Sequence, residues 1–430
     1  MRYRAINPEL FIANRARLAK LLLAESLAVL NSNDIMPTNA DGTMSLRQNS
    51  DLFYLTGIDQ EESMLLLYPQ AHEENMREIL FVRETSELLA TWEGHKLTKE
   101  EAQKISGIKR VEWVSDFQPL FHRLMCECAH VYLNSNEHKR AVIQVETRDA
   151  RFVADTQRRY PLHDYKRLAP LMHQLRAVKS DIELDILREA CAITKAGFTR
   201  VCRFVRPGVT ETEIEAEYAH EFIRAGGSFA YWPIIASGRN ACVLHYIQND
   251  QTCRKGELLL LDVAAQYANY NSDLTRTIPV SGRFSRRQRQ VYQAVLRVMR
   301  GAIKAATPGK LPKQWQKDAE ALMQEELLGL GLLKPAEVRK QDPEKPALKR
   351  YFMHGIGHPL GLDVHDLTLT TRPIQPGWVL TVEPGIYLPE EGFAVRLENN
   401  IVVQEGGNVD LMADIPVEPQ DIEALMHHRR

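Results

Sequence analysis

The part of this sequence that most constrains its fold is an apolar run from Leu258 to Thr277, which two carboxylates interrupt. Four leucines, then Asp262, then the residues 263–265 predict a strand buried on both faces, because no polar face alternates with the apolar one. An ionised carboxylate buried without a partner is costly, so it is neutralised or receives a cation or hydrogen-bond donors. Asp262 therefore marks a special position in the fold.

The second carboxylate of this run is Asp273, eleven residues after Asp262. A hairpin centred between Tyr267 and Ala268 would place the two aspartates directly opposite each other. Two like charges that close raise one pKa sharply unless something positive lies between them. The pair therefore predicts either an acid–base dyad or a bound metal ion.

Length and composition limit the class of protein that this chain can form. With 430 residues, 44% hydrophobic and 26% charged, it is long enough for two or three domains and a large core. The formal net charge of -2 gives no general attraction to nucleic acid or to a membrane, so we expect neither as a partner. The first residues lack the apolar core of a signal peptide, and six scattered cysteines do not suit a disulfide scaffold. These features predict a cytoplasmic protein.

The first part of the chain is predicted to form an α/β domain. Apolar residues between Pro8 and Leu30 recur at helical spacing and precede a polar cluster, which predicts an amphipathic helix and a turn. Short apolar runs at 63–68 and 79–82, separated by turn residues, predict strands. A basic segment broken by prolines, 158–180, is typical of a linker between domains.

Three capping boxes predict the starts of helices in the second part of the chain. In each, Ser or Thr is followed three residues later by Glu or Gln, which together satisfy free N–H groups at a helix N-terminus. Helices are thus expected to begin after Ser180, Thr210 and Ser285 and to end near Phe204, Gly226 and Ala306. Strands are predicted at 229–236, 351–354, 379–383 and 395–404. Helices that arrive in pairs between antiparallel strands predict an α+β domain.

A stretch rich in histidine and glycine runs from His354 to Gly361. His354 and His358 are four residues apart, but two glycines and Pro359 argue against a helix. An even spacing also places two side chains on one face of a strand. The glycines would allow the backbone to approach a ligand closely, although either histidine alone would more often be structural.

Two further acids, Glu383 and Glu398, lie within apolar strands and pose the same burial problem as Asp262. One explanation is that these acids form buried ion pairs with Arg276 and Arg396. Two arginines cannot match all four carboxylates, whereas two divalent cations would balance them. Hard oxygen ligands with one imidazole favour Mn²⁺, with Co²⁺, Fe²⁺ or Zn²⁺ as alternatives. Two such ions would lower the pKa of a shared water for attack on a carbonyl.

The order of these residues resembles that of the pita-bread metallopeptidases, family M24, and within them the Xaa-Pro aminopeptidases (the aminopeptidase P family). The resemblance implies that Asp273 and Glu398 bridge two metal ions. It further implies that Asp262 holds one ion, whereas His358 and Glu383 hold the other. It covers nearly the whole chain and is strongest over 175–410. The ligand pattern Asp, Asp, His, Glu, Glu falls on Asp262, Asp273, His358, Glu383 and Glu398.

The resemblance also implies roles for residues that are not purely ligands. His245, His354 and His365 would orient the scissile amide and stabilise the tetrahedral intermediate, a role that suits imidazole near neutral pH. Of these, His245 and His365 would also bind the substrate. Arg396 would support the bridging carboxylates, and Glu383 would manage the proton of the attacking water.

Similarity in the N-terminal half is carried by the segment 47–57 and by Trp92, which resembles an aromatic residue that lines the proline pocket. Two positions depart from the family pattern. Ala264 stands where the family often has Gly after the first Asp. The segment from His365 to Glu383 is short, so Arg372 is not assigned as a clamp for the substrate carboxylate, and the choice between tripeptides and dipeptides stays open.

The resemblance implies a two-domain protein, with an N-terminal creatinase-like α/β domain over 1–174 and a C-terminal pita-bread catalytic domain over 175–430. The implied activity is that of a Mn²⁺-dependent exopeptidase, a homodimer or homotetramer, that removes an N-terminal residue preceding proline.

Three alternatives share the fold. A prolidase would cleave Xaa-Pro dipeptides with the same site and would differ by a clamp for the free carboxylate. A non-enzymatic binding module would lack metal ligands. A creatine-type amidinohydrolase would use the fold without metals.

Overall fold

The structure is a computed structural model that describes residues 2–142, 144–367 and 371–427. These residues form two compact units, which divide between Arg176 and Ala177. The domain boundary that we propose from the sequence, between residues 174 and 175, falls inside the helix Ala169–Ala177. Within the described ranges, no helix combines the length and the apolar character needed to cross a membrane.

The first unit is built on one six-stranded sheet. Its strands are β1 (Ser26–Asn31), β2 (Met64–Leu67), β3 (Glu78–Val82), β4 (Arg110–Trp113), β5 (His130–Leu133) and β6 (Asp164–Arg167). They lie in the order β4-β3-β2-β1-β5-β6, and β2 runs antiparallel to both of its neighbours while the other pairs are parallel. Parallel strands with helical connections are typical of α/β domains, as predicted.

Helices of the first unit pack against this sheet through aromatic and aliphatic side chains. The helices are α1 (Glu9–Ala19), α2 (Ser50–Thr56), α3 (Glu87–Glu93), α4 (Lys99–Ser106), α5 (Phe117–Glu127), α6 (Arg148–Arg159) and α7 (Ala169–Ala177), with 3₁₀ turns at Glu74–Met76 and Val114–Asp116. Phe117 and Phe121 of α5 share a core with Val29 of β1 and Phe81 of β3.

The predicted helix from Pro8 to Leu30 is only half right. Helix α1 ends at Ala19, and the apolar residues that follow form the buried central strand β1. β1 pairs with β2 on one side and with β5 on the other, and its Leu27 and Val29 are almost fully buried in the core shared with α5. Pairing with distant strands therefore overrides the local helical spacing.

The second unit contains the three helices predicted from capping boxes, and all three are confirmed. Ser180, Thr210 and Ser285 each accept from the N–H three residues ahead, and the Glu or Gln at that position completes the box. The helices are α8 (Asp181–Phe204), α9 (Glu211–Arg224), α10 (Arg286–Ala305), α11 (Pro312–Gly329), α12 (Pro335–Lys340) and α13 (Pro419–His427), with 3₁₀ turns at Gly238–Cys242 and Ala347–Arg350.

Small antiparallel sheets form the rest of the second unit. Their strands are β7 (Ser228–Phe229), β8 (Ile234–Ser237), β9 (Leu258–Asp262), β10 (Ala265–Tyr267), β11 (Tyr270–Asn271), β12 (Thr275–Pro279), β13 (Val379–Val382), β14 (Gly385–Leu388), β15 (Phe393–Arg396), β16 (Asn399–Val402) and β17 (Val409–Asp410). The sheets are β11-β10-β7, β12-β9-β8, β13-β16-β17 and β14-β15. Leu258–Leu261 are buried, as the run of four leucines predicts.

Three strand predictions for this unit are wrong in detail. The predicted strand 229–236 is interrupted, because β7 ends at Phe229 and β8 begins at Ile234. No strand is found at 351–354 in the described chain, where an irregular segment follows the 3₁₀ turn Ala347–Arg350. The predicted strand 395–404 is broken between β15 and β16, because the Leu397 N–H donates to the Pro384 carbonyl and the Glu398 N–H to the Thr275 carbonyl. The break places Glu398 beside the hairpin that follows β9.

The register of that hairpin also differs from the prediction. Strands β10 and β11 are joined by Ala268 and Asn269, whose φ angles of 48° and 65° fit a type I′ turn. The turn is thus centred one residue later than predicted, and Asp262 lies opposite Thr275 instead of Asp273. The displacement along the partner strand is two residues, an even number, so both carboxylates keep the same face.

Candidate active site

Two aspartates meet at the hydroxyl of one tyrosine. Tyr231, in the loop between β7 and β8, places its hydroxyl oxygen 2.6 Å from Asp262 Oδ1 and 2.7 Å from Asp273 Oδ1. A phenol has one proton to donate, so one of these contacts lacks a donor while both carboxyls are ionised. Burial raises the pKa of Asp262, and Asp273 raises it further against the opposing charge of Arg396. This point therefore requires a proton or a cation.

The position of Asp273 is fixed through its backbone. The Asp273 N–H donates to Asn400 Oδ1 at 3.0 Å, and Asn400 Nδ2 donates to the Asp273 carbonyl at 2.7 Å. Asn400 is fully buried in β16. This reciprocal pair joins the hairpin to the sheet that carries the remaining acids.

Glu398 has a buried oxygen without a hydrogen-bond donor. Its Oε2 accepts from Thr275 Oγ1 at 2.7 Å, but its Oε1 contacts no donor among the described residues even though Glu398 is 1% exposed. Burial and the neighbouring carboxylates, Asp273 first among them, raise the pKa of Glu398 far above its usual range. An orphaned carboxylate oxygen of this kind is what a cation would satisfy.

His358 and Glu383 come together because the segment 356–360 runs along β13. The Thr381 N–H donates to the His358 carbonyl at 2.9 Å, and the Glu383 N–H donates to the Ile356 carbonyl at 2.8 Å. A side chain at Gly357 would place Cβ 2.0 Å from the Thr381 carbonyl oxygen, so glycine allows this close approach. Gly357 thus lets this segment lie close to the backbone of β13, while the predicted approach of the glycines to a ligand stays a prediction.

The imidazole of His358 presents one nitrogen to the acids. Its Nδ1 lies 3.0 Å from the Pro359 carbonyl and donates to it, and its Nε2 lies 3.5 Å from Asp273 Oδ2 and 3.8 Å from Glu383 Oε1. Burial lowers the pKa of His358, but the two acids outweigh it and the net shift is upward. Burial raises the pKa of Glu383 to about 7, with His358 acting in the opposite direction.

Arg396 connects Asp262 to a second tyrosine. Its guanidinium donates to Asp262 Oδ2 at 2.6 Å, to the Tyr387 hydroxyl at 2.8 Å and to Thr275 Oγ1 at 3.2 Å. The Tyr387 hydroxyl is also 2.8 Å from His354 Nε2, and His354 Nδ1 is 2.8 Å from the Gly355 carbonyl. Burial, followed by the charge of Arg396, lowers the pKa of His354 to about 3. His354 is therefore neutral, with its proton on Nδ1 and both nitrogens engaged.

The remaining predicted site residues lie in different surroundings. His365 packs edge-on against His358, with ring centroids 4.3 Å apart. His245 is exposed, and its charge contributes to lowering the pKa of His354. Trp92, on α3 of the other unit, is 82% exposed, so its substrate role stays a prediction. Arg372 is exposed after the gap at 368–370.

The donor set fits a divalent cation. Ligand atoms of Asp273, His358 and Glu398 all lie within 4.8 Å of one another. Glu383 reaches this group through His358, and Asp262 reaches it through the Tyr231 hydroxyl. Burial, followed by the neighbouring carboxylates, raises the pKa of Asp262, Glu383 and Glu398, and a bound cation would offset both effects.

Ion pairing with arginine, the alternative reading of these acids, holds for one of them. Arg396 pairs with Asp262 at 2.6 Å. Arg276 instead donates to the carbonyls of Glu398 and Pro416 and to the side chain of Asn399. Pairing with these arginines therefore leaves the charges of Asp273, Glu383 and Glu398 unbalanced.

Sequence reasoning missed four residues that organise the site: Tyr231, Tyr387, Thr275 and Asn400. A tyrosine within an apolar stretch is normally part of the core, so neither tyrosine gave a distinguishing signal. Thr275 and Asn400 could have been found, because polar residues next to Asp273 and Glu398 in buried strands need partners.

Comparisons with known proteins agree with this geometry. Residues 185–405 match the model of metallopeptidase family M24, and residues 11–132 match that of the aminopeptidase P N-terminal domain. The chain is 32% identical to the Xaa-Pro aminopeptidase of Escherichia coli (strain K12) over 98% of both sequences. It therefore belongs to metallopeptidase family M24.

Solved structures extend the similarity to the whole chain. Zinc-substituted E. coli aminopeptidase P in complex with product gives a TM-score of 0.87 at 32% identity, covering 99% of this chain and 100% of that one. The E. coli enzyme with the inhibitor Pro-Leu gives a TM-score of 0.86 at 32% identity and covers 99% of each chain. The predicted combination of an N-terminal aminopeptidase P domain with a pita-bread domain is confirmed, and the chain is a metal-dependent peptidase.

Proposed function

We propose that this protein is a metal-dependent exopeptidase that cleaves the bond between an N-terminal residue and a following proline. The observation that carries the proposal is the cluster of Asp273, His358 and Glu398 ligand atoms with a buried, unpartnered carboxylate oxygen. Full-length similarity to Xaa-Pro aminopeptidases supports the substrate class, as does the E. coli structure with Pro-Leu.

The five predicted ligands are proposed to hold two divalent ions, with Mn²⁺ preferred over Co²⁺, Fe²⁺ and Zn²⁺. Asp273 and Glu398 would bridge the ions, Asp262 would hold one, and His358 with Glu383 the other. When bound, such ions polarise a carbonyl and provide a nucleophile from water at neutral pH.

The chain's own residues would prepare the proton transfers. Glu383 would take the proton of the attacking water and pass it to the leaving proline nitrogen. Arg396 favours the ionised form of Asp262 and orients it through its 2.6 Å contact. Tyr231 supplies a donor between the two aspartates, which fixes their separation.

Three histidines would contact the peptide. His245 and His365 are exposed and would bind the substrate around the scissile amide. His354 has Nε2 engaged with Tyr387, so donating to a substrate oxygen would require the proton to move to Nε2 and that contact to be given up. Trp92 is proposed to line the proline pocket. We further propose a cytoplasmic homodimer or homotetramer.

The test is turnover of an Xaa-Pro-Xaa tripeptide beside the matching Xaa-Pro dipeptide after reconstitution with Mn²⁺. Faster tripeptide cleavage that Asp273→Ala abolishes is the expected result, with bound metal measured by elemental analysis. Preference for the dipeptide would identify a prolidase. Fewer than about one bound metal per chain, with neither peptide cut, would refute a metalloenzyme.

A further inference from the structure

The loop between His358 and His365 closes on itself. The Asp366 N–H donates to the Pro359 carbonyl at 3.0 Å, and the Asp363 N–H lies 3.3 Å from Asp366 Oδ1. The loop thereby returns the His365 ring to the His358 ring, at a centroid distance of 4.3 Å and an angle of 72°. His365 is exposed, whereas its neighbour Asp366 is buried.

Asp366 forms a buried ion pair with a residue far away in the sequence. Lys179 Nζ lies 2.9 Å from Asp366 Oδ2, and each side chain is 1% exposed. Lys179 is itself fixed, because its N–H donates to the Gly377 carbonyl at 2.9 Å just before the capping box of α8. The loop is thus tied to the start of the longest helix of the second unit, 187 residues earlier.

Gly361 packs directly on this ion pair. A Cβ at Gly361 would lie 2.5 Å from Asp366 Oδ2 and 3.0 Å from Lys179 Nζ. Any side chain there would therefore push the two charges apart. The ion pair therefore requires glycine at position 361, because only glycine leaves room for it.

A second anchor ties the same loop to the hairpin that carries the two aspartates. The Asn271 N–H donates to the Gly361 carbonyl at 2.8 Å, and Asn271 Nδ2 donates to the Leu362 carbonyl at 2.9 Å. Asn271 lies in β11, between Asp262 and Asp273 in the sequence, and is buried. The loop and the hairpin are therefore held in one arrangement.

A buried ion pair is a poor way to add stability, because desolvation offsets most of the attraction, but its geometry is specific. We propose that Lys179 and Asp366 are positioning residues that hold His365 in the geometry at which it contacts the peptide. This inference rests on the proposed function, in which His365 binds substrate. The charge pair fixes the backbone beside an imidazole that must remain exposed.

The first test is a double-mutant cycle on Xaa-Pro-Xaa turnover. Lys179→Met is expected to lower kcat/KM by about tenfold or more, since small misplacements at a reacting centre are that costly. In a His365→Ala background the same change is expected to cost less than about twofold, because the group being positioned is gone. The inference would be overturned if the kcat/KM losses of Lys179→Met and His365→Ala multiplied in the double variant. It would also be overturned if neither substitution changed kcat/KM.

The second test reads the loop directly and needs no activity. Hydrogen exchange of the amides in 359–367, followed by mass spectrometry with bound metal held equal, is expected to be at least about tenfold faster in Lys179→Met. If Lys179→Met folds poorly, the double variant Lys179→Met/Asp366→Asn takes its place, because it leaves no unpaired charge buried. Unchanged exchange in this segment would overturn the inference.

Asn408→Ala is the matched control for general destabilisation. Asn408 donates to the Ile303 and Ala306 carbonyls at 2.6 and 2.8 Å, so its loss lowers the melting temperature without touching the loop. It is expected to leave both kcat/KM and loop exchange unchanged within about twofold. An inactive wild type would refute the proposed function, while the exchange experiment would still decide whether the ion pair fixes the loop.

Discussion

Replacing Glu383 by glutamine is expected to stabilise the metal-free protein above neutral pH, although the carboxylate is one that we propose for catalysis. Burial raises the pKa of Glu383 from 4.5 to about 7. The folded chain thus keeps a proton that the unfolded chain has already lost. The stability of the metal-free protein therefore falls as the pH rises from about 4.5 to about 7.

The magnitude follows from the pKa shift. At about 1.4 kcal/mol per pKa unit, ionising Glu383 in the folded chain costs roughly 3 kcal/mol above pH 7. Only 23% of the side chain is exposed, so solvent screening removes little of this cost. Glutamine cannot ionise and avoids the cost. At about pH 5 the difference between wild type and variant shrinks to less than about 1 kcal/mol.

Scanning calorimetry with a chelator present is the assay. At about pH 8, Glu383→Gln is expected to melt about 6 to 12 °C above the wild type, and close to it at about pH 5. Glu405→Gln, an exposed glutamate of the same unit, serves as the control and is expected to show no pH-dependent difference. A Glu383→Gln variant that melts at or below the wild type at high pH would contradict the raised pKa of Glu383.

Three further predictions use the same site. Gly357→Ala puts Cβ 2.0 Å from the Thr381 carbonyl and is expected to lower both melting temperature and bound metal, whereas Gly355→Ala, with its nearest atom at 3.8 Å, should change neither. Tyr231→Phe removes the donor shared by Asp262 and Asp273, so the melting temperature in chelator should fall by the equivalent of about 1–3 kcal/mol, and an unchanged value would contradict this. Mn²⁺ binding should release protons, and its affinity should rise between about pH 5 and about pH 8, because the acids must ionise to bind the ion. Titration calorimetry in buffers of different ionisation enthalpy measures the number of protons released. Binding without proton release would refute this prediction.

Local signals in the sequence predicted the helices of the second unit well. Each capping box is complete within four residues, so Ser180 with Glu183 is sufficient to locate the start of α8. The sequence also indicated that Asp262, Glu383 and Glu398 need partners, because a carboxylate in an apolar run is buried and must be compensated in any fold. Such features require no knowledge of distant contacts.

Long-range pairing accounts for what the sequence left open or mispredicted. The spacing of residues 8–30 is helical, but β1 is fixed by strands more than thirty residues away. The hairpin turn is centred on Ala268 and Asn269, and alanine at φ 48° is a choice that turn propensities disfavour. Tyr231 and Asn400 contact Asp273 across 42 and 127 residues, and no local rule indicates such partners.

Charge is what separates this site from a network of structural ion pairs. Arg396 pairs with Asp262, but Asp273, Glu383 and Glu398, once ionised, carry three charges that the protonation of His358 could reduce by only one. A structural network would have paired Glu398 Oε1, which is buried and lacks a donor. The backbone instead holds the acids together at some cost, through Asn400 on Asp273 and the glycine that brings His358 to β13. Buried carboxylates held this close together are expected where a cation compensates their charge.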